Sequence, residues 1–131
     1  MADALADTSI FVAGEGGRPI AAQPDGDVLI SAATLTELRV GGLLASDDAT
    51  RQRRTATLRA AQRFLPLGYD ERVAGELAAI IAALRAAGRR VNLFDAIIAA
   101  TAAAHELVIW TQDDDFEVIH ELAGGPPVLR A

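Results

Sequence analysis

The chain has 131 residues, of which 51% are hydrophobic and 23% are charged, and its formal net charge is −6. This length and composition predict one folded domain spanning residues 1–131 and exclude a disordered chain. Because the chain contains no cysteine, disulfides, thiolate metal sites and cysteine nucleophiles are excluded.

Short apolar runs alternate with helical patterns along the whole chain. Strands are predicted at residues 4–7, 28–31, 65–67, 107–110 and 127–130. Helices are predicted at residues 8–13, 32–44, 49–64, 70–87, 93–105 and 114–122, and residues 14–26 form a loop rich in glycine and proline. This alternation predicts an α/β fold with a parallel sheet covered on both faces. Ligands of such sheets bind beyond the carboxyl ends of the strands.

Four acidic residues interrupt apolar segments. Asp7 closes the run Ala4-Leu5-Ala6, Glu37 lies within an apolar helix, Asp95 opens another, and Asp113 follows the predicted strand 107–110. A carboxylate in apolar surroundings is costly unless a partner neutralises it. The chain has no lysine. We therefore expect these acids to share one hard divalent cation, for which carboxylate oxygens are suitable ligands.

Helix capping is the alternative explanation for three of these acids. Asp7 precedes a helix and would cap it, and Asn92 with Asp95 resembles a capping box. After the fourth strand, Asp113 is favoured as a ligand and Asp115 is second, while Asp114 is expected to cap the helix or face solvent.

Glu37 has no such explanation. Its helical neighbours at i−4, i+3 and i+7 are Ala33, Val40 and Leu44, so the carboxylate is predicted to lie on the packed face of its helix.

A basic segment stands apart from the acidic remainder of the chain. Residues 51–63 contain five arginines and no acid, which leaves a net charge of −11 on the other residues. The predicted helix would present Arg51, Arg53, Arg54 and Arg59 to a phosphate backbone and so bind RNA. A solvated face, or a surface for an acidic protein partner, is the alternative.

Two further expectations concern assembly and location. Val73, Leu77, Ile80, Ile81 and Leu84 form a wide apolar stripe, which predicts a homodimer unless this helix lies wholly within the core. The N-terminus lacks the features of a signal peptide and no apolar run is long enough for a membrane span, so we expect a cytoplasmic protein with no membrane partner.

Four motifs together resemble the PIN-domain family, and within it the VapC-type ribonuclease toxins of bacterial toxin–antitoxin pairs. The motifs are Leu5-Ala-Asp7-Thr-Ser, Leu35-Thr-Glu37-Leu, Leu93-Phe-Asp95-Ala-Ile-Ile-Ala-Ala-Thr-Ala and Val108-Ile-Trp-Thr111-Gln-Asp113-Asp-Asp115-Phe116. They cover essentially the whole chain in the family's order. Trp110 departs from the family's pattern, where a smaller residue is more usual.

The resemblance implies a three-layer α/β/α fold and RNA cleavage that depends on Mg²⁺ or Mn²⁺. Asp7, Glu37, Asp95 and Asp113 match the family's acidic residues, while Thr8, Thr111 and Asp115 match its supporting positions. We expect Asp7, Asp95 and Asp113 to hold the metal, which activates the attacking water. The family's toxins usually dimerise and are silenced by a small antitoxin.

Other functions compete with this hypothesis. A PIN-domain nuclease that processes RNA outside a toxin pair has the same motifs, and a PIN-like interaction module would not need all four acids. An aspartyl-phosphate phosphatase also places an aspartate at a strand end. That class ordinarily needs a lysine near the phosphate, and this chain has none.

Overall fold

The computed structural model describes residues 2–131, which form five strands and six helices. The strands are β1 (Ala4–Ala6), β2 (Val28–Ser31), β3 (Pro66–Leu67), β4 (Val108–Thr111) and β5 (Val128–Arg130). The helices are α1 (Thr8–Gly16), α2 (Ala32–Leu43), α3 (Asp48–Ala61), α4 (Glu71–Ala86), α5 (Leu93–Ala104) and α6 (Asp115–Ala123). All strands are parallel, in the order β3-β2-β1-β4-β5.

The helices cover both faces of the sheet. Successive strand residues point to opposite sides, so apolar side chains on both faces need to be buried. Leu5 is buried with α4, α5 and α6 on one face. Ala6 and Ile30 are buried with residues of α1, α2 and α3 on the other face. The predicted three-layer α/β/α architecture is therefore confirmed.

Strand order reverses between β1 and β4. From β1 the chain moves outward through β2 and β3, then returns to place β4 on the other side of β1. The backbone N–H of Asp7 donates to the carbonyl of Trp110 at 3.0 Å, which continues the β1–β4 pairing past the end of β1. A ligand crevice is expected at this switch point, beyond the carboxyl ends of the two strands.

The apolar stripe of α4 is covered within the chain itself. Val73, Leu77, Ile80 and Leu84 are each no more than 8% exposed and belong to the core cluster that includes α5 and α6. The expectation that this stripe exceeds what one domain can bury was wrong, since the buried helix α5 and helix α6 together cover it. The homodimer stays a prediction, without this argument for it.

Helix α1 extends beyond its predicted end at residue 13. Helix α1 continues past Ala13 to Gly16, and Gly17 ends it with φ at 69°, a conformation that suits glycine. The additional turn carries Glu15, whose carboxylate accepts hydrogen bonds from Arg54 and Thr57 of α3. No helix among residues 2–131 has the length and apolarity to cross a bilayer.

Candidate active site

Asp7 stands at the junction of β1 and α1 and is only 2% exposed. Its side chain caps α1 by accepting a hydrogen bond from the backbone N–H of Ser9 at 3.0 Å. Burial raises the pKa of this carboxyl from 3.8 to about 6, although hydrogen bonds from Ser9 and Thr111 oppose the shift. The capping explanation is thus correct for Asp7, and the same residue also lies in the crevice.

Ser9 joins the ends of β1 and β4, and sequence reasoning missed it. Its hydroxyl donates to Oδ1 of Asp7 at 2.5 Å and accepts from the backbone N–H of Gln112 at 2.8 Å. It also lies 3.3 Å from the hydroxyl of Thr111, which is fully buried. The signal in the sequence was a serine two residues after a strand-end aspartate, in the first turn of the next helix.

Glu37 reaches the crevice from α2. Its Oε1 accepts a hydrogen bond at 2.7 Å from the Thr8 hydroxyl, and the Thr8 and Thr34 hydroxyl oxygens lie 3.2 Å apart. The expected packed face is only partly present, because Ala33 is buried whereas Val40 and Leu44 are 44% and 78% exposed. Glu37 therefore lies at the rim of the apolar face, with its carboxylate held by Thr8.

Asp95 lies in the first turn of α5 and faces the other acids. Its pKa rises from 3.8 to about 7, first through burial and then through the charges of Asp113, Glu37, Asp7 and Asp115. Asn92 is the cap of α5, since its Oδ1 accepts from the N–H of Phe94 at 2.8 Å. Asn92 therefore caps α5 as predicted, and Asp95, at the third position of that helix, lies close enough to the other acids for their charges to raise its pKa.

The three aspartates after β4 have different surroundings. The backbone N–H of Asp113 donates to the Thr111 hydroxyl at 2.8 Å, and Asp113 Oδ1 accepts from the N–H of Asp115 at 3.0 Å. Asp114 is 84% exposed in its side chain and pairs with Arg130 at 2.6 Å. As expected, Asp114 faces solvent, whereas Asp113 and Asp115 are partly buried.

One group of carboxylates is spaced for a metal ion. Asp95, Asp113 and Asp115 each offer an oxygen, and these oxygens lie within 4.8 Å of one another. A hard cation that holds oxygens at about 2.0–2.1 Å and keeps several waters fits such a group, directly or through water. Asp115, which was the second choice of ligand after β4 and a supporting position by resemblance, belongs to this group. Asp7, which was expected as a ligand, stands outside it with Oδ1 engaged by Ser9.

The arginines of α3 are unequally available. Arg54 donates from Nε to Glu15 at 3.1 Å and from Nη1 to the carbonyl of Gly41 at 3.4 Å, so it ties α3 to α1 and α2. It also lines a small pocket with Thr8 and Glu37, at the rim of the acidic crevice. Arg51 pairs with Asp48 on its own helix at 2.6 Å.

Arg53 and Arg59 lie on the exposed side of α3. Arg53 donates to the hydroxyl of Thr50 at 3.0 Å, and neither arginine takes part in an ion pair among residues 2–131. These two are therefore the predicted α3 contacts that remain open to an anion.

The PIN domain family profile matches residues 4–122. The chain belongs to the PIN-domain family. Ribonuclease VapC4 of Mycobacterium tuberculosis is 44% identical to it over 123 residues, covering 91% of this chain and 92% of that protein. Ribonuclease VapC5 of the same organism is 42% identical over 115 residues, covering 86% of this chain and 84% of the relative.

Solved structures show the same PIN fold. The crystal structure of VapBC-5 from Mycobacterium tuberculosis, a member of the VapBC family of toxin–antitoxin systems, superposes with a TM-score of 0.83 at 34% identity, with both chains fully covered. A DNA-bound VapBC from Salmonella typhimurium superposes with a TM-score of 0.78 at 23% identity, covering 99% and 98% of the two chains. The second match supports the fold alone.

Proposed function

We propose that this PIN-domain protein is a divalent-metal-dependent endoribonuclease and the toxin of a toxin–antitoxin pair. The observation that carries this proposal is the convergence of five carboxylates from four separate segments at one crevice. They are Asp7, Glu37, Asp95, Asp113 and Asp115. The pKa of Asp95 is raised to about 7, first by burial and then by the charges of the other four acids, and a bound cation would relieve both effects. The relatives named ribonuclease support RNA as the substrate.

Different residues would have different roles in the proposed hydrolysis of the phosphodiester bond. Asp95, Asp113 and Asp115 would hold Mg²⁺ or Mn²⁺, and the charge of Asp7 would complete the site. When bound, the cation would lower the pKa of a water and offset charge on the phosphoryl oxygens. Glu37, oriented by the Thr8 hydroxyl, is positioned to align the attacking water. Ser9 and Thr111 hold Asp7 and Asp113 in place.

An exposed apolar surface beside the crevice supports an antitoxin partner. Val12, Val40, Leu43 and Leu44 are between 44% and 85% exposed on α1, on α2 and just after α2. Val40 lies one helical turn beyond Glu37, so a protein segment covering these residues would also reach the crevice. The similar structure of VapBC-5 belongs to a family of toxin–antitoxin systems, which agrees with this role. We place the pair in the cytoplasm, where RNA is accessible.

The test is RNA cleavage by the purified protein with Mn²⁺, with Mg²⁺ and in EDTA. We expect cleavage with either metal and none in EDTA, with the 5′ ends of the products mapped by sequencing. Addition of the small protein encoded next to this gene should suppress cleavage. Undiminished cleavage in EDTA would contradict the metal dependence, and metal-dependent cleavage that no neighbouring protein suppresses would favour an RNA-processing nuclease outside a toxin pair.

A further inference from the structure

Three arginines outside α3 form a second basic surface. Arg85 lies in the last turn of α4, and Arg89 and Arg90 lie in the connection to α5. Together with apolar residues they line a groove of about 360 Å³. We call these three residues the α4–α5 arginine cluster.

The cluster lies at the same edge of the sheet as the acidic crevice. Asp7 and Asp113 follow the carboxyl ends of β1 and β4, and their charges act on Asp95, so α5 begins at this edge of the sheet. Asp95 in the first turn of α5 faces the crevice, and the next residue, Ala96, lines the groove. Only the first turn of α5 therefore separates the cluster from the carboxylates.

The positive charge of the cluster is not neutralised by the protein. All three arginines are exposed, and none takes part in any ion pair among residues 2–131. In a chain with 18 acidic residues and only 12 basic ones, this is an uncompensated basic patch. In α3, by contrast, Arg51 and Arg54 are engaged by carboxylates.

Stabilisation of the end of α4 accounts for Arg85 but not for Arg89 and Arg90. Arg85 would favour the C-terminal end of α4 through the helix dipole. Gly88, with φ at 70°, ends the helix, and the backbone N–H of Arg89 donates to the carbonyl of Leu84 at 2.8 Å. The backbone of Arg89 thus closes this turn, while the side chains of Arg89 and Arg90 are exposed.

We propose that the α4–α5 arginine cluster binds the phosphate backbone of the RNA, on the side of the scissile bond next to Asp95. This inference rests on the proposed nuclease function. A polyanion entering a crevice of five carboxylates needs cations close to the reacting phosphate. The α4–α5 arginine cluster lines a groove with Ala96, next to Asp95, so its cations would hold the RNA strand beside the carboxylates that bind the metal.

The experiment compares the wild-type protein with the double variants R89Q/R90Q and R89K/R90K. Binding of a labelled, mixed-sequence single-stranded RNA with phosphorothioate linkages is measured by fluorescence anisotropy with Mg²⁺ at several KCl concentrations. Cleavage of the unmodified RNA is measured in parallel, and thermal melts verify folding. Each lost single-strand phosphate contact should reduce the slope of log affinity against log salt by roughly 0.7.

We expect R89Q/R90Q to bind RNA on the order of tenfold more weakly at low salt, with a salt slope smaller by about 1.4. Its KM should rise while kcat is retained, and R89K/R90K should keep the wild-type slope.

An unchanged slope in R89Q/R90Q beside normal wild-type cleavage would overturn this inference and leave the proposed function standing. Loss of antitoxin binding with unchanged RNA binding would also overturn it, by assigning the cluster to the protein partner. A wild-type protein that neither binds nor cleaves RNA with any metal would overturn both proposals.

Discussion

Ser9 donates two hydrogen bonds to the same oxygen of Asp7, one from its backbone N–H at 3.0 Å and one from its hydroxyl at 2.5 Å. The first bond is an ordinary helix cap, whereas the second supports a carboxylate that burial would otherwise protonate. Because the hydroxyl also accepts from the N–H of Gln112, it connects the acid at the end of β1 to the segment carrying Asp113.

Replacement of Ser9 by alanine should raise the pKa of Asp7 further above 6 and weaken Mn²⁺ binding near neutral pH. It should also lower the free energy of unfolding by about 1–2 kcal/mol, because a charged acceptor and the N–H of Gln112 both lose a partner. Isothermal titration with Mn²⁺ and chemical denaturation measure the two effects. The control S9T keeps the hydroxyl, and equal losses in both variants would contradict the role given to it.

The metal-free protein should become less stable as the pH rises from about 4 to about 8. Asp7 and Asp95 have folded-state pKa values of about 6 and about 7, against 3.8 ordinarily. Within this window the folded state binds more protons than the unfolded chain, so the free energy of unfolding falls with increasing pH. Melting curves in EDTA test this, and D95N should flatten the dependence. A melting temperature in EDTA that rises steadily over this range would rule the account out.

The adjacent residues Asp113 and Asp114 allow a controlled test of the metal site, because only Asp113 belongs to the carboxylate group. D113N should abolish the rise in melting temperature that Mn²⁺ produces and reduce RNA cleavage at least about a hundredfold, since a metal ligand is lost. D114N should retain both, because Asp114 is exposed and pairs with Arg130. Differential scanning fluorimetry and a cleavage assay check the two variants. Equal behaviour of the pair would show that Asp113 does not act as a ligand.

The α3 arginines should separate into two groups. R53Q/R59Q should weaken RNA binding and its salt dependence without loss of stability, because neither side chain pairs with a carboxylate. R54Q should instead lower the free energy of unfolding by up to about 1 kcal/mol, since the pair with Glu15 is partly exposed. Anisotropy titrations and denaturation curves measure these effects. If R53Q/R59Q loses only antitoxin binding, this face of α3 belongs to the protein partner.

Local patterns in the sequence were sufficient to predict the strands and helices and to place Asp7 and Asp113 just beyond the ends of two strands. Apolar runs next to Asp7 and Asp113 predicted strand ends in a parallel sheet, and the structure places both at its switch point. Hydrogen bonds and ion pairs between residues far apart in the chain could not be predicted from local patterns. Glu15 and Arg54 are separated by 39 residues, and no spacing rule relates them. The stripe of α4 was misjudged for a similar reason, because the helices that cover it pack there only through the tertiary fold.

The most direct test of the central claim is to locate the cation itself. Crystals of the protein grown with Mn²⁺ would be measured at the manganese absorption edge, and an anomalous difference map would be calculated. We expect a peak among the carboxylates of Asp95, Asp113 and Asp115, with oxygen ligands at about 2.1–2.2 Å or bridged by water. The peak should be absent from D113N crystals. Density for Mn²⁺ only elsewhere on the protein, with these three carboxylates left without a cation, would contradict the account.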